Sequence, residues 1–309
     1  MPDMKQRIIT SLLVFFALFI FSASAFAAQV PIKVVATIFP LADIVRQIGG
    51  NRVKVTTLLP AGMSEHTFEP TTAQMRQVAE AALYVRVGAG MDIWGDKLLA
   101  AAKRPPSMVT ATAGIALLSV AEQELVAEKE ADTHHHHEGD DPHVWLDPIL
   151  VRDHIVPGIT NALSSISPAD SSYFRANGKQ FAAALTRFDQ EMRPRMKALS
   201  RHDFIALHGA WHYLAQRYGL RQLAAVEPFP GKEPSAKYIA ALITLARKDG
   251  VTTIFAEPQL SAKAAQVIAT EIKGKVLLLD PVGGETVPGR NSYLALMRYN
   301  LSTIERGMR

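Results

Sequence analysis

The sequence predicts an α/β fold of two lobes joined by a single long helix. Three observations carry that expectation. Short apolar, β-rich runs alternate with amphipathic helical stretches, the pattern of α/β sheets. One helical stretch of about 30 residues interrupts the series, far beyond the usual 11–12. After it, a second series of the same kind begins.

In chain order, Val34–Ile38 reads as a strand and Leu41–Ile48 as a helix stopped by Gly49 and Gly50. Val53–Leu59 is the next strand, followed by helix Thr71–Ala82, strand Leu83–Val87, helix Asp92–Ala102 and strand Met108–Ala111. From about Ser119 to Asp141 the chain turns acidic, loses its aromatics and carries His134, His135, His136 and His137, which predicts a long surface loop. Phe174, Phe181, Leu185, Phe188, Met192 and Met196 then fall at helical spacing, with Ser167–Pro168 as a helix start. Such a helix spans about 45 Å at 1.5 Å per residue, enough to cross two lobes. Pro194 is expected to bend it or end it early. Strands Phe204–Leu207, Gln222–Val226, Thr252–Ala256 and Val276–Leu279 alternate with helices Trp211–Tyr218, Ser235–Lys248, Ser261–Lys273 and Tyr293–Arg306. The organisation expected is therefore a leader over 1–27, a first lobe over 28–166 that includes the loop near 119–141, a linking helix over 167–200, and a second lobe over 201–309.

Composition narrows the function classes. The chain has 309 residues, 48% hydrophobic and 20% charged, close to a globular average. It has no cysteine, which excludes disulfides, thiolate metal sites, cysteine nucleophiles and a lipidated cysteine. Its net charge is only +4 and its 33 basic residues are scattered, which argues against nucleic acid as a partner. Residues 1–27 open with Lys5 and Arg7, run apolar from Ile8 to Phe21, and end on Ala23, Ala25 and Ala27. That is the form of a cleaved secretory signal, and the stretch is short of the about 20 apolar residues a membrane helix needs. The mature protein is expected in the periplasm, without a lipid anchor.

Four polar residues stand where chemistry is expected. His66 follows the strand that ends at Leu59, and His143 precedes a helix in Asp141-Pro142-His143-Val144-Trp145-Leu146-Asp147-Pro148. His208 and Asp280 each end an apolar strand of the second series. Ligands of open α/β sheets sit beyond the carboxyl ends of the strands, so at least His208 and Asp280 are expected to face one crevice, with His66 facing it from the first lobe. Three imidazoles and a carboxylate converging there read as a metal site. Glu257 reads as a loop hydrogen-bonding residue, His212 as a helical residue pointing elsewhere, and Trp94, Trp145 and Trp211 as packing residues. The run His134, His135, His136 and His137, among Asp132, Glu138, Asp140 and Asp141, reads either as a low-affinity cation collector or as a solvated loop. No Gly-x-Ser-x-Gly, Walker or Gly-x-Gly-x-x-Gly motif is present.

The segments VVATIFPLADIVRQIGG, LLPAGMSEHTFEPT, DPHVWLDP, FIALHGAWHYLAQRYGL, FAEPQ and LLLDP, in that order, make the chain resemble the zinc/manganese substrate-binding proteins of ABC importers, and among them the ZnuA-type zinc binders. The resemblance implies two Rossmann-like lobes on a rigid helix with the metal at their interface. It implies His66, His143, His208 and Asp280 as ligands, and Glu65 stands where some zinc members place an acidic residue that approaches the metal. It further implies a non-catalytic, monomeric carrier that delivers Zn²⁺ as cargo to an inner-membrane permease with a cytoplasmic ATPase. Manganese-selective members generally carry glutamate at the third position; here His208 stands there, and imidazole suits zinc better than manganese. The alternatives are a Mn²⁺ or Fe²⁺ carrier of the same family and, from other classes, a secreted zinc hydrolase or a metal buffer or adhesin. A hydrolase needs an open coordination position and a general base, whereas Asp280 can close the fourth position and no His-Glu-x-x-His helix supplies a base.

Overall fold

The computed structural model describes residues 30–100, 105–119 and 139–309. The leader over 1–27 and the loop histidines His134, His135, His136 and His137 lie outside the described residues. Two four-stranded parallel sheets share one strand order. In the first, β1 (Ile32–Ala36), β2 (Val53–Thr57), β3 (Leu83–Arg86) and β4 (Ser107–Thr110) run in the order β2-β1-β3-β4. In the second, β5 (Asp203–Ala206), β6 (Arg221–Ala225), β7 (Thr253–Ala256) and β8 (Lys275–Leu278) run β6-β5-β7-β8. Each sheet therefore reverses its order between its first and third strands, the place where α/β sheets open a crevice at their carboxyl ends.

The helices form where the sequence supplies both a face and a cap. In α1 (Phe39–Gly49) Pro40 sits in the first turn, Leu41, Ile44, Val45 and Ile48 are buried, and Gly50 ends the helix with a positive φ of 52°. Helix α2 (Thr72–Glu80) opens on a capping box: Thr71 accepts from the Gln74 amide, and Gln74 accepts from the Thr71 amide at 2.8 Å. The Gln74 side chain also donates to the Leu58 carbonyl at 2.6 Å, tying the end of β2 to α2. Helix α3 spans Ile93–Ala100. Asp147 caps a helical run through Pro148, which passes through a π-turn at Val151–Ile155 into α4 (Val156–Ile166).

The long helix α5 (Ser171–Lys197) has 27 residues, and a 3₁₀ turn over Pro168–Asp170 leads into it. Pro194 does not end it early. It lies in the last turn, where the ring costs one backbone hydrogen bond and the helix continues three residues to Lys197. Gly178 lets α5 approach α4, since a Cβ there would stand 2.6 Å from Thr160 Oγ1. Helices α6 (His212–Tyr218), α7 (Ala236–Lys248), α8 (Lys263–Glu271) and α9 (Tyr293–Met308) complete the second lobe.

Burial joins the two lobes. One apolar core runs from Val34, Leu41 and Trp145 through Phe181 and Leu185 of α5 to Phe204, Trp211 and Met297. A smaller core around Ile205, Leu223, Leu242, Ile254 and Ile268 fills the other face of the second sheet. Successive residues of β5 alternate between the two, as a pleated strand requires. Polar ties cross between the lobes beside the shared core. Tyr293 donates its amide to Asp43 at 2.8 Å and its hydroxyl to the Trp145 carbonyl at 2.7 Å. The Trp145 indole donates to the Pro281 carbonyl at 2.8 Å, and Arg46 pairs with Glu285.

Candidate metal centre

His66 lies on the loop between β2 and α2. Leu58 and Leu59 bury the loop's start, and Phe68 anchors its end edge-on against Trp94, with ring centroids 5.1 Å apart. Ser64 accepts from the His66 amide at 3.3 Å. The outcome is that Glu65 is buried while the His66 side chain keeps 24% of its surface exposed. Neighbours on an extended segment point to opposite sides; here the turn between the two anchors brings both toward one point.

His143 follows Asp141 in a tight turn. Asp141 Oδ1 accepts from the His143 amide at 2.9 Å and lies 2.7 Å from its ring Nδ1. That contact occupies Nδ1 and leaves Nε2 free to face the centre. His208 follows Leu207 at the end of β5, and its Nδ1 lies 2.6 Å from Glu257 Oε2 at the end of the neighbouring β7. Glu257 Oε1 accepts from the Trp211 indole at 3.2 Å, and Gln222 donates to the His208 carbonyl at 3.1 Å. The Nε2 atoms of His208 and His143 stand 3.4 Å apart. A carboxylate behind each of two imidazoles fixes the tautomer and ring direction that a metal ligand needs.

Glu65, His66, His143 and His208 each bring one ligand atom to within 4.8 Å of all the others. The three imidazole rings have centroids 5.2–5.4 Å apart. Asp280, expected from the sequence beside them, is not in this group. One of its oxygens accepts from Gln259 Nε2 at 2.7 Å and from the Val282 and Gly283 amides at 3.1 and 2.9 Å, and the other pairs with Arg290 at 2.8 Å. Its backbone is held as well, by Asn300 at 2.9 and 2.7 Å. Asp280 ends its strand as expected, but its carboxylate is spent on the loop that follows. Glu65 stands in the cluster instead. The loop histidines His134, His135, His136 and His137 fall outside the described residues.

Electrostatics follow from burial and these contacts. Burial raises the Glu65 carboxyl above its ordinary value, and the His208 and His143 charges oppose that rise. Burial, reinforced by its two neighbouring imidazoles, holds His66 well below the ordinary histidine value. For His208 burial acts downward, yet the Glu257 contact outweighs it and pushes the ring up to about 9. Burial acts upward on Asp141, but His143 and His212 hold its carboxyl below the usual carboxylate range. The Glu257 contact thus favours the protonated form of the His208 ring, whose proton a cation must displace to bind. Three nitrogens and one carboxylate oxygen converging in this way suit a four-coordinate Zn²⁺.

Three residues support the cluster from behind: Asp141, Glu257 and His212. Asp141 carries the one usable signal, since a carboxylate two residues before a histidine can reach its ring. Glu257 does serve as a hydrogen-bonding residue, accepting from the Trp211 indole, and its other oxygen lies 2.6 Å from the His208 ring. His212, in the first turn of α6, stays out of the converging ligand group as expected, but its Nδ1 meets Asp141 Oδ2 at 3.0 Å. Trp145 and Trp211 are fully buried, as packing residues should be.

A family model described as the periplasmic zinc-uptake complex component A (ZnuA) matches residues 34–307. The zinc-binding protein AdcA of Streptococcus pyogenes serotype M3 is 31% identical over 317 residues, covering 97% of this chain and 61% of its own length. The chain thus spans about three-fifths of that relative. The high-affinity zinc uptake system protein ZnuA of Bacillus subtilis is 30% identical over 278 residues, covering 89% of this chain and 86% of its own. A crystal structure of ZnuA superposes with a TM-score of 0.79 at 28% identity, covering 91% of this chain and all of the other.

Proposed function

From the premise that this chain belongs to the ZnuA family of zinc-uptake components, we propose that it captures Zn²⁺ in the periplasm and hands it to an ABC permease driven by a cytoplasmic ATPase. The observation that carries the proposal is the convergence of Glu65, His66, His143 and His208 on one point, two of the imidazoles backed by carboxylates. The metal is cargo. In this reading the ligands are the three histidines and Glu65, while Asp280 holds the loop after β8. A closed four-ligand set leaves no position for a catalytic water, so the protein acts as a binder and not as a hydrolase.

The third imidazole, His208, favours zinc over manganese, which prefers oxygen ligands. Residues 1–27 serve as a cleaved export signal, and the cysteine-free chain offers no thiol for a lipid anchor. The carrier works as a monomer. The four histidines His134, His135, His136 and His137 gather cations weakly and do not belong to the tight site, because a polar loop must lose conformational entropy for each contact it makes. Deleting Asp132–Asp140 is expected to remove weak zinc equivalents only; loss of the tight equivalent would place these residues in the primary site.

Native mass spectrometry with metal analysis of the purified mature chain tests the proposal. One tightly held zinc per chain, retained against added manganese, is expected. A chain that retains manganese instead, or that holds no metal tightly, would refute it.

A further inference from the structure

The cluster draws its ligands from both lobes, and its outer contacts also cross the boundary. Asp141, fully buried, uses its two carboxylate oxygens for two different histidines. Oδ1 serves His143, through both amide and ring. Oδ2 meets Nδ1 of His212, which belongs to α6 of the second lobe. The next residue of α6, Tyr213, donates its hydroxyl to the Asp141 carbonyl at 3.0 Å and accepts from the Leu118 amide at 3.0 Å. Two consecutive side chains of the second lobe therefore grip the residue that aims a first-lobe imidazole.

We infer that His212 is a positioning residue for the metal site: by holding Asp141 Oδ2 it fixes the carboxylate that orients His143, so the second lobe sets the aim of a ligand carried by the first. The inference rests on the reading of the cluster as a metal site. A carboxylate held at one oxygen only can rotate about its Cβ–Cγ bond, and its other oxygen then moves off the His143 ring nitrogen. With Oδ2 pinned by His212 that rotation is closed, and His143 keeps Nδ1 on Asp141 and Nε2 toward the centre. His212 itself stays out of the cluster, since it is not among the residues whose ligand atoms converge. His208, earlier on the same connection, faces the centre directly.

The test compares zinc titrations of the full chain with those of His143→Ala, His212→Leu and His212→Asn. Leucine fills the space without a donor, whereas asparagine returns an N–H near the place of Nδ1. Removal of an outer-shell partner costs about 10–100-fold in metal affinity. Lying one contact further out, His212→Leu is expected to weaken zinc by about tenfold and His212→Asn by less than about threefold. Loss of the ligand in His143→Ala is expected to exceed about a hundredfold. The cobalt(II) absorption spectrum of His212→Leu should match that of the parent in form, and the ¹⁵N resonance of the His143 Nδ1 should shift, which a merely structural loss would not produce. If His143→Ala binds zinc as the parent does, the reading of the cluster fails and this inference with it. If His143→Ala loses zinc while His212→Leu binds it normally, the reading stands and the inference is overturned. A cobalt spectrum that changes form in His212→Leu would make His212 a ligand and overturn it as well. Should His212→Leu not fold, His212→Ala removes the same donor without adding bulk and is read against the same outcomes.

Discussion

The end of β8 and the loop after β2 each present a buried carboxylate near a crevice, and they use it in opposite ways. Asp280 has Gln259, Arg290 and two backbone amides around it, so its charge is satisfied by the protein itself. Glu65 faces three imidazoles, and its Oε1 has no hydrogen-bond partner among the described residues. A carboxylate already holding four donors gains little from a cation, whereas a buried one without them has its desolvation cost unmet. The difference teaches that position at a strand end does not by itself make a ligand; the donors supplied around the carboxylate decide.

The largest effect should come from the histidines on which both alternatives depend. His208→Ala is expected to lower zinc affinity by more than about a hundredfold, exceeding the 10–100-fold cost of an outer-shell loss. Isothermal titration checks this, and an unchanged affinity would dissolve the site as described.

The comparison itself is sharpened by exchanging each acid for its amide. Glu65→Gln is expected to weaken zinc by at least about tenfold, as loss of a coordinating oxygen should, with little change in the stability of the metal-free chain. Asp280→Asn should do the reverse. It should leave zinc within about threefold while costing about 3 kcal/mol of stability, the lower end for breaking a buried charge pair. Urea unfolding and zinc titration of both variants give the two numbers; equal zinc losses would break the comparison.

A smaller effect comes from protons. With His208 pushed up to about 9, the metal-free centre holds a proton at about pH 7.5 that zinc must expel. Zinc affinity should therefore rise by about tenfold per pH unit up to about 9 and then level off, with about one proton released at about pH 7.5. Calorimetry in buffers of different ionisation enthalpy reads that number, and Glu257→Gln should reduce it. The sign for folding is opposite. A raised histidine stabilises the metal-free fold fully below about pH 6.5, and this contribution fades as pH climbs through about 9. Thermal melts of the metal-free chain across that window should show the decline.

Much of this was legible in the chain. Apolar runs located the strands, and histidines just past them, His66 and His208, could be placed at carboxyl ends without coordinates. Asp280 was placed correctly on its strand, but its partners Gln259 and Arg290 lie 21 and 10 residues away and meet it only through the loops of the second lobe. Glu65 and His66 are adjacent, and adjacent residues rarely aim at the same point; the Ser64 and Phe68 anchors turn both inward here. His212 shows the limit of periodicity. A helical wheel assigns faces to a helix interior, whereas the first turn of α6 borders the crevice itself. The closing helix also does more than its apolar stripe suggested, because Tyr293 and Met297 join the core shared with the first lobe.

The identity of the fourth ligand separates Glu65 from Asp280. A crystal structure of the zinc-loaded chain, with anomalous scattering measured at the zinc edge, addresses it most directly. A single strong peak bonded to Glu65 and to the rings of His66, His143 and His208, with Asp280 still paired to Arg290, is expected. A peak bonded to the Asp280 carboxylate, with Glu65 turned away, would contradict it.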